Sequence, residues 1–112
     1  DVMQLWYNFI SQHPYIPCRP FGSFYEAEQS GLGITVMRTP TSGTFQKWIQ
    51  MVNPGNTFDY STSLIQFVLS NPLVDVALIG MRNPQRVEQN VKICNDTAGR
   101  IDIDELYRWY VD

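Results

Sequence analysis

Two arginines at the start of a predicted helix are the residues of this sequence best suited to bind an anion. Arg82 and Arg86 flank Asn83-Pro84, in which asparagine is a favourable N-cap and proline a favourable first helical residue. The free backbone N–H groups of a helix N-terminus bind phosphate, and guanidinium groups strengthen that binding. The pattern predicts either a phosphate or nucleotide site or a capped surface helix with solvated arginines.

The helix that begins at these arginines has two different faces. Gln89 and Asn90 extend its polar flank. Val87, Val91 and Cys94 are spaced by four and three residues, which places them in one apolar stripe. We expect this stripe to pack on a sheet.

An apolar run leads into this helix start. Residues 74–79 are rich in β-branched side chains, and the run ends at Gly80-Met81. Such a run suits a short strand that is covered on both faces, as the strands of parallel sheets are. The candidate anion site would therefore lie where a buried strand gives way to a helix.

A second candidate anion site follows the strand predicted for residues 34–37. The loop of residues 38–43 contains one fixed positive charge, Arg38, several hydroxyl groups beginning with Thr39, and the permissive Gly43. Hydroxyl and backbone donors in such a loop can wrap a phosphate. A solvated turn has the same composition, and that alternative stays open.

Two further polar residues lie in or near the first predicted strand, residues 2–7. Gln4 interrupts an apolar run, so its amide either faces a ligand or finds hydrogen-bond partners in a core. His13 precedes a proline in an irregular segment, and no carboxylate or nucleophile stands at a fixed spacing from it. We interpret His13 as a loop side chain.

The remaining segments predict helices that would position these residues. Residues 21–30 form a short helix that Gly31 stops, and residues 45–52 carry an apolar stripe expected in the core. That stripe consists of Phe45, Trp48, Ile49 and Val52. Asp59 or Ser61 can cap a mostly apolar helix that ends near residue 70, and Asp102 precedes a last aromatic-rich helix. Strands alternating with helices indicate an α/β fold with a parallel sheet.

Composition restricts the class of protein. A chain of 112 residues forms one domain at most, and 44 % hydrophobic residues can support a core. A net charge of −3 argues against a general nucleic-acid binder. The apolar runs are shorter than the ~20 residues that a membrane span requires. Cys18 and Cys94 have no metal-ligand spacing and indicate reduced, packed thiols of a cytoplasmic protein, with a disulfide between the two as the alternative.

Three apolar parallel strands would leave two unpaired sheet edges, which natural proteins avoid. We therefore expect either that the chain belongs to something larger or that another segment completes the sheet. The first residues, Asp1-Val2, already lie within an apolar pattern and lack an initiator methionine. This indicates a chain entered midway.

The sequence resembles the C-terminal part of an aldo/keto reductase. The resemblance covers residues 1–8, 31–40, 67–72 and 80–90, and its most specific part is the spacing of glycine, arginine, glutamine and asparagine in the last segment. Aldo/keto reductases fold as a (β/α)8 TIM barrel, so these segments would supply about strands six to eight with their helices. Strands from the missing N-terminal half of the barrel would then pair with the two free edges of this sheet.

The resemblance implies that the complete protein moves a hydride between NADP(H) and a small-molecule carbonyl substrate. Gln4 would bind the nicotinamide carboxamide, and residues 37–43 would touch the nicotinamide and pyrophosphate. Arg82 and Arg86 would hold the adenosine 2′-phosphate. The implied cofactor-binding residues are Gln4, Met37, Arg38, Thr39, Gly80, Met81, Arg82, Arg86, Gln89 and Asn90.

The sequence departs from the family pattern in three respects. Many relatives have an aromatic residue that stacks on the nicotinamide near the position of Met37, and an acidic residue near that of Gln89. The family's catalytic tyrosine, lysine, aspartate and histidine have no counterpart here, so the chain by itself supplies no catalytic residue. Two alternatives remain: a non-catalytic scaffold or regulatory subunit with the same fold, and a small stand-alone α/β binding domain.

Overall fold

Three segments of β-branched and aromatic residues form the strands. The computed structural model describes residues 1–12, 14–15 and 22–111, in which β1 is Val2–Trp6, β2 is Gly33–Met37 and β3 is Val76–Ala77. The first two strand predictions are confirmed, whereas residues 74–79 yield a strand of only two residues. The predictions for His13, Cys18 and Phe21 lie outside the described residues.

Helices connect the strands in the predicted alternation. Helix α1 (Ser23–Gln29) joins β1 to β2, and helices α2 (Thr44–Val52) and α3 (Ser61–Leu69) join β2 to β3. Helices α4 (Pro84–Asn95) and α5 (Ile103–Val111) follow β3. Short 3₁₀ turns cover Thr41–Gly43 and Thr97–Gly99. The fold described by these elements is α/β.

All three strands are parallel and lie in the order β1-β2-β3. Gln4 is paired with Thr35, and Trp6 with Met37, while Thr35 is also paired with Val76. Each new strand is therefore added to the same side of the sheet. Strands β1 and β3 each have one edge without a partner strand among the described residues.

One face of the sheet carries the core. Ile34 and Val36 of β2 are buried in a cluster with α1, represented by Phe24, and with α3, represented by Phe67. Both crossovers thus pack on the same face, as they do in a singly wound sheet rather than in a doubly wound one. Edge-on and stacked ring contacts join Tyr7, Phe9 and Phe67 within this layer.

The opposite face of the sheet has no covering layer among the described residues. We call it the open face. It comprises Val2, Gln4, Trp6, Thr35, Met37 and Val76. Trp6 is 49 % exposed and Val76 is 50 % exposed. The prediction that the last strand is covered on both faces is wrong for the described residues, because none of them forms the second layer that this prediction requires.

Two helices expose apolar stripes that were expected to be buried. In α4, Val87 and Val91 are exposed, and so is the free thiol of Cys94, because no strand pairs with the outer edge of β3 beneath them. In α2, Trp48 and Val52 are exposed, and only the flank that includes Phe45 is partly covered. The predictions that these stripes pack on a sheet or in the core are wrong.

The end of α4 is fixed to α3 by a buried polar network. The Gln66 side chain is buried in α3, and its Nε2 donates to the backbone carbonyls of Ile93 at 3.0 Å and Asp96 at 3.2 Å. Arg100 donates to the Gln66 Oε1 and, at 2.8 Å, to the carbonyl of Cys94. These bonds satisfy carbonyl groups that the end of a helix leaves without partners.

Candidate functional site

A cleft of about 400 Å³ lies where β2 and β3 give way to helices, at the carboxyl end of the sheet. One wall is the loop after β2, another is α3, and the third is the start of α4. The residues that line it are Pro40, Gly43, Gln46, Ser61, Leu64, Ile65, Ile79, Gly80, Arg82, Asn83, Arg86 and Asn90. In open α/β sheets, ligands bind at this end of the strands.

The start of α4 is built as the sequence predicts. Asn83 is the N-cap in extended conformation, and its Oδ1 accepts a hydrogen bond from the backbone N–H of Arg86 at 2.8 Å. Pro84 occupies the first turn, where its missing N–H costs nothing. The 12-residue helix therefore begins at the cleft with its positive dipole end.

The electrostatic field in the cleft is positive. Arg82 and Arg86 are exposed, and neither forms an ion pair within the described part of the chain. Asp59 feels the positive charge of Arg86: hydrogen bonds from Ser61 are the main cause of its lowered pKa, and Arg86 lowers the pKa further. Exposed arginines without a paired carboxylate keep their donors available for an anionic ligand.

Asn90 contributes a buried amide without a partner. Its side chain is 8 % exposed and lines the cleft one turn beyond Arg86, and its Nδ2 has no hydrogen-bond partner among the described residues. A buried polar group without a partner costs about 1–3 kcal/mol. This orphaned donor is an independent indication that the cleft accommodates a ligand with hydrogen-bond acceptors.

The loop after β2 is held in a strained conformation. Arg38 has φ +59° and Thr41 has φ +61°, which is left-handed backbone that costs a non-glycine residue roughly 1–2 kcal/mol. Asn8 is buried, and its Nδ2 donates to the Arg38 carbonyl at 2.8 Å, while the Thr41 N–H donates to the same carbonyl at 2.9 Å. Such strain persists only where surrounding contacts fix it, and it is common at functional sites.

Two threonines anchor the same loop to its neighbours. Thr39 is fully buried, and its hydroxyl donates to the Leu78 carbonyl at 3.3 Å, which ties the end of β2 to the end of β3. The Thr41 Oγ1 accepts a hydrogen bond from the N–H of Phe45 at 3.1 Å and so supports the first turn of α2. Thr39 therefore positions the loop, since its hydroxyl donates to Leu78 and does not line the cleft.

A second polar group lies on the open face. The Arg38 guanidinium carbon is 4.0 Å from the centroid of the Trp6 ring, a cation–π contact. Gln4 lies two residues before Trp6 on the same strand face, and Met37 is the registered partner of Trp6. Gln4 is exposed, so it is not a core amide with satisfied partners.

The predicted site residues thus separate into three groups. Gly80, Arg82, Arg86 and Asn90 line the cleft, whereas Gln4, Met37 and Arg38 lie on or beside the open face. Thr39, Met81 and Gln89 do not line the cleft: Thr39 is buried between strands, Met81 borders shallower depressions along α4, and Gln89 is exposed.

The structure adds residues that sequence reasoning missed. Gln46 and Ser61 line the cleft, but they belong to helices that form its walls, so nothing in their local pattern distinguishes them. Trp6 lies two positions from Gln4, and the alternation of a strand would have placed both on one face. Asn8 fixes the Arg38 carbonyl through a contact 30 residues apart in sequence, which no short-range pattern encodes.

Tyr7 and Tyr15 are not suited to acid catalysis near neutral pH. Burial raises the pKa of Tyr7 to about 12, and burial also raises the pKa of Tyr15. Both side chains lie in the core on the helix-covered face of the sheet, away from the cleft and the open face. The described residues contain no cluster of three or more histidine, cysteine or acidic side chains that would hold a metal ion.

Comparison with known proteins found no match among family models, curated proteins or solved structures. In the part of the chain that the structure describes, no helix has both the length and the apolar character needed to cross a membrane. The geometry of the cleft and of the open face is therefore the basis for assigning a function.

Proposed function

We propose that this chain is the nucleotide-binding part of an NADP(H)-dependent oxidoreductase of the aldo/keto reductase type, which reduces carbonyl compounds to alcohols. The observation that carries the proposal is the cleft at the carboxyl end of the strands, where two unpaired arginines, a helix N-terminus and the orphaned Asn90 amide converge. Each of these features favours a ligand that has both phosphate groups and hydrogen-bond acceptors.

The residues present fit the adenosine half of the cofactor. A volume of about 400 Å³ lies within the roughly 300–1,000 Å³ typical of small-molecule sites. Arg82 and Arg86 would bind the 2′-phosphate, and the unpartnered Nδ2 of Asn90 would donate to a ring nitrogen of adenine. Two guanidinium groups suit a phosphate dianion better than a ribose hydroxyl, which favours NADP(H) over NAD(H).

The open face supports a barrel in which this chain supplies about strands six to eight. In-order parallel strands with both crossovers on one face are the arrangement of a (β/α)8 barrel, and such a barrel turns the other face inward. The exposed Trp6 and Val76 and the exposed α4 stripe, including Val91, would then be covered by the N-terminal half of the barrel. We place the protein in the cytoplasm within the same proposal, since the free thiol of Cys94 is typical of a reducing compartment.

Each group of residues has a limited role in this mechanism. When bound, the cofactor supplies the hydride that adds to the carbonyl carbon, while a proton adds to the oxygen to give the alcohol. Gln4, on the open face, would orient the nicotinamide amide, and the part of the loop that lines the cleft, Pro40 and Gly43, would support the cofactor between the two sites. The proton donor would come from the N-terminal half, where the resemblance implies the catalytic tyrosine, because Tyr7 and Tyr15 are core residues with raised pKa values.

Titration of the full-length protein with NADPH and NADH, followed by calorimetry, tests the proposal. Replacing Arg82 and Arg86 with alanine is expected to weaken NADPH binding by about 10- to 100-fold per arginine and NADH binding much less, because charge-assisted hydrogen bonds are worth ~1.5–3 kcal/mol. Arg108→Ala is the matched control, since Arg108 is an exposed arginine on α5 that does not line the cleft.

Three results would separate the alternatives. Absence of NADPH binding, or equal effects of the cleft and control variants, would contradict the nucleotide site. Binding without turnover of any aldehyde or ketone would favour the scaffold or regulatory subunit over the enzyme. Cooperative folding of residues 1–112 as a soluble monomer would favour a stand-alone domain over part of a barrel.

A further inference from the structure

Arg38 and Trp6 form a charged, planar surface that the nucleotide cleft does not include. The guanidinium lies over the Trp6 ring at 4.0 Å, and Arg38 is not among the residues that line the cleft. Both residues stand at the carboxyl ends of adjacent strands, because Trp6 is paired with Met37 and Arg38 follows Met37 directly. The pair therefore lies beside Gln4, at the end of the open face.

The backbone that presents Arg38 is fixed by long-range contacts. Its carbonyl accepts hydrogen bonds from Asn8 Nδ2 at 2.8 Å and from the Thr41 N–H at 2.9 Å, and φ is held at +59°. Asn8 is itself fixed, because its Oδ1 accepts the N–H groups of Ile10 and Ser11. An arginine in a strained conformation, with a buried clamp behind it, is positioned more closely than a solvated loop arginine.

The cation has no acidic partner. No carboxylate pairs with Arg38 in the described ranges, and its guanidinium forms no hydrogen bond there. The contact with the ring uses none of the guanidinium N–H groups as a hydrogen-bond donor, so these donors stay available for a carboxylate. Trp6 remains 49 % exposed, so its ring retains surface for a planar group.

We propose that the Arg38–Trp6 pair selects the substrate: the carbonyl compound is an oxo acid whose carboxylate binds Arg38 and whose planar portion lies against Trp6. The inference rests on the proposed oxidoreductase function and specifies its substrate class. The nicotinamide would be held by Gln4, two residues away on the same strand, so the acid would be bound next to the place where the hydride leaves.

The test measures binding and turnover of phenylglyoxylate, with its methyl ester as the neutral counterpart, by the full-length protein in the presence of NADPH. We expect the acid to bind by calorimetry, and its kcat/KM to exceed that of the ester. Arg38→Met, which keeps the length of the side chain and removes the charge, is expected to weaken acid binding and kcat/KM by about 30- to 100-fold and to change the ester less than threefold. Trp6→Leu is expected to weaken binding of both compounds by about tenfold.

Two further variants show that lost binding is not caused by lost folding. Glycine suits a φ of +59°, so Arg38→Gly is expected to be at least as stable as the wild type. Its affinity for phenylglyoxylate is nevertheless expected to fall as it does in Arg38→Met. Arg38→Lys keeps the charge without the planar fork and is expected to recover part of the binding.

The outcomes separate failure of this inference from failure of the proposed function. NADPH binding that is unchanged in Arg38→Met, with selective loss of the acid, supports the inference. A loss of NADPH affinity in Arg38→Met would assign the arginine to the cofactor and overturn it, as would equal effects on acid and ester. If NADPH does not bind at all, the proposed function fails, and binding of phenylglyoxylate still decides whether Arg38 recognises a planar acid.

Discussion

Asn8 shows how one buried side chain determines the shape of a loop 30 residues away. Its amide donates to the Arg38 carbonyl, and its oxygen accepts two backbone N–H groups of residues 10 and 11. Each polar group of this side chain replaces water that the surrounding core excludes. The Asn8 amide therefore joins the strained loop after β2 to the segment after β1, and Thr39 and Thr41 anchor that loop from its other side.

Replacing Asn8 with alanine is expected to lower the free energy of unfolding by about 2–3 kcal/mol, because the N–H groups of Ile10 and Ser11 lose their acceptor and the Arg38 carbonyl loses one of its two donors. Urea denaturation of the full-length protein measures this change. Asn56→Ala is the control, since Asn56 makes similar turn contacts in a more exposed position and is expected to cost less than about 1 kcal/mol. Equal losses in the two variants would show that Asn8 is an ordinary turn residue.

The raised pKa of Tyr7 predicts that the protein loses stability at high pH. Burial raises its pKa to about 12, compared with 10.0 for a free tyrosine, so between these values the unfolded chain releases a proton that the folded chain keeps. Stability from this group is complete below pH 10 and decreases as the pH rises toward 12. At pH 11 the loss is about 1.4 kcal/mol.

Comparison of the wild type with Tyr7→Phe isolates this effect. The variant has the same ring and no phenol, so its stability is expected to fall less steeply between pH 9.5 and 11 in urea denaturation. Parallel curves for the two proteins over that range would show that Tyr7 titrates as it does in water.

At the residue scale, the sequence predicted which polar side chains belong to the site better than it predicted the contacts that those side chains make. Arg82, Arg86 and Asn90 were predicted from the start of one helix, and they line one cleft because α4 fixes the spacing of Arg86 and Asn90, while Arg82 directly precedes the N-cap Asn83. Thr39 was placed in the same site from its neighbourhood in sequence, but its hydroxyl bonds the Leu78 carbonyl. That contact depends on the pairing of β2 with β3, which local spacing does not specify.

At the level of elements, α3 and α4 are joined through Gln66. This one amide donates to two carbonyls at the end of α4 and accepts from Arg100, which itself binds further carbonyls there. Because α4 exposes much of its apolar stripe, this polar network supplies attachment that packing on a sheet would otherwise provide. The position of the arginine-bearing helix therefore depends on its far end.

Gln66→Leu keeps the volume of the side chain and removes all of its hydrogen bonds. We expect a loss of about 2–3 kcal/mol in the free energy of unfolding, because buried carbonyls and the Arg100 guanidinium lose partners. Gln50→Leu, at an exposed position of α2, serves as the matched variant and is expected to stay within about 0.5 kcal/mol of wild type. If Gln66→Leu leaves the free energy of unfolding unchanged, water replaces the amide in the network.

The start of α4 and the start of α5 were predicted correctly because capping is local. Asn83 accepts the N–H of Arg86, and the Asp102 Oδ1 accepts the N–H of Glu105, each three residues along the chain. The stripes of α2 and α4 were predicted with the right spacing but the wrong burial. Spacing fixes which residues share a face, whereas burial depends on the element that lies against that face.

At the scale of the whole molecule, the main apolar surface left uncovered by the described residues is the open face of the sheet. Under the barrel proposal it is an interior, so a charge introduced there should be costly in the full-length protein. Val76→Lys is expected to destabilise that protein by about 3 kcal/mol or more, although Val76 is half exposed in the described structure. The physical reason is that a buried lysine lacks both water and a partner.

Met51→Lys provides the comparison, because Met51 is 76 % exposed on α2 and is expected to change the free energy of unfolding by less than about 0.5 kcal/mol. Thermal and urea denaturation of both variants measure the difference. If Val76→Lys is as harmless as Met51→Lys, the face is in contact with solvent and the barrel proposal is wrong.

Ile103, at the start of the last helix, is buried in the same core cluster as Phe24 of the first helix and Ile34 of the second strand. Helices α1 and α5 thus share one interior, although about eighty residues separate Phe24 from Ile103 in the sequence. A nascent chain that has not yet emerged beyond Ile103 would leave the first helix and strand with an incomplete apolar layer. Folding of this layer during translation would therefore be completed only after the helix that begins at Ile103 has emerged from the ribosome.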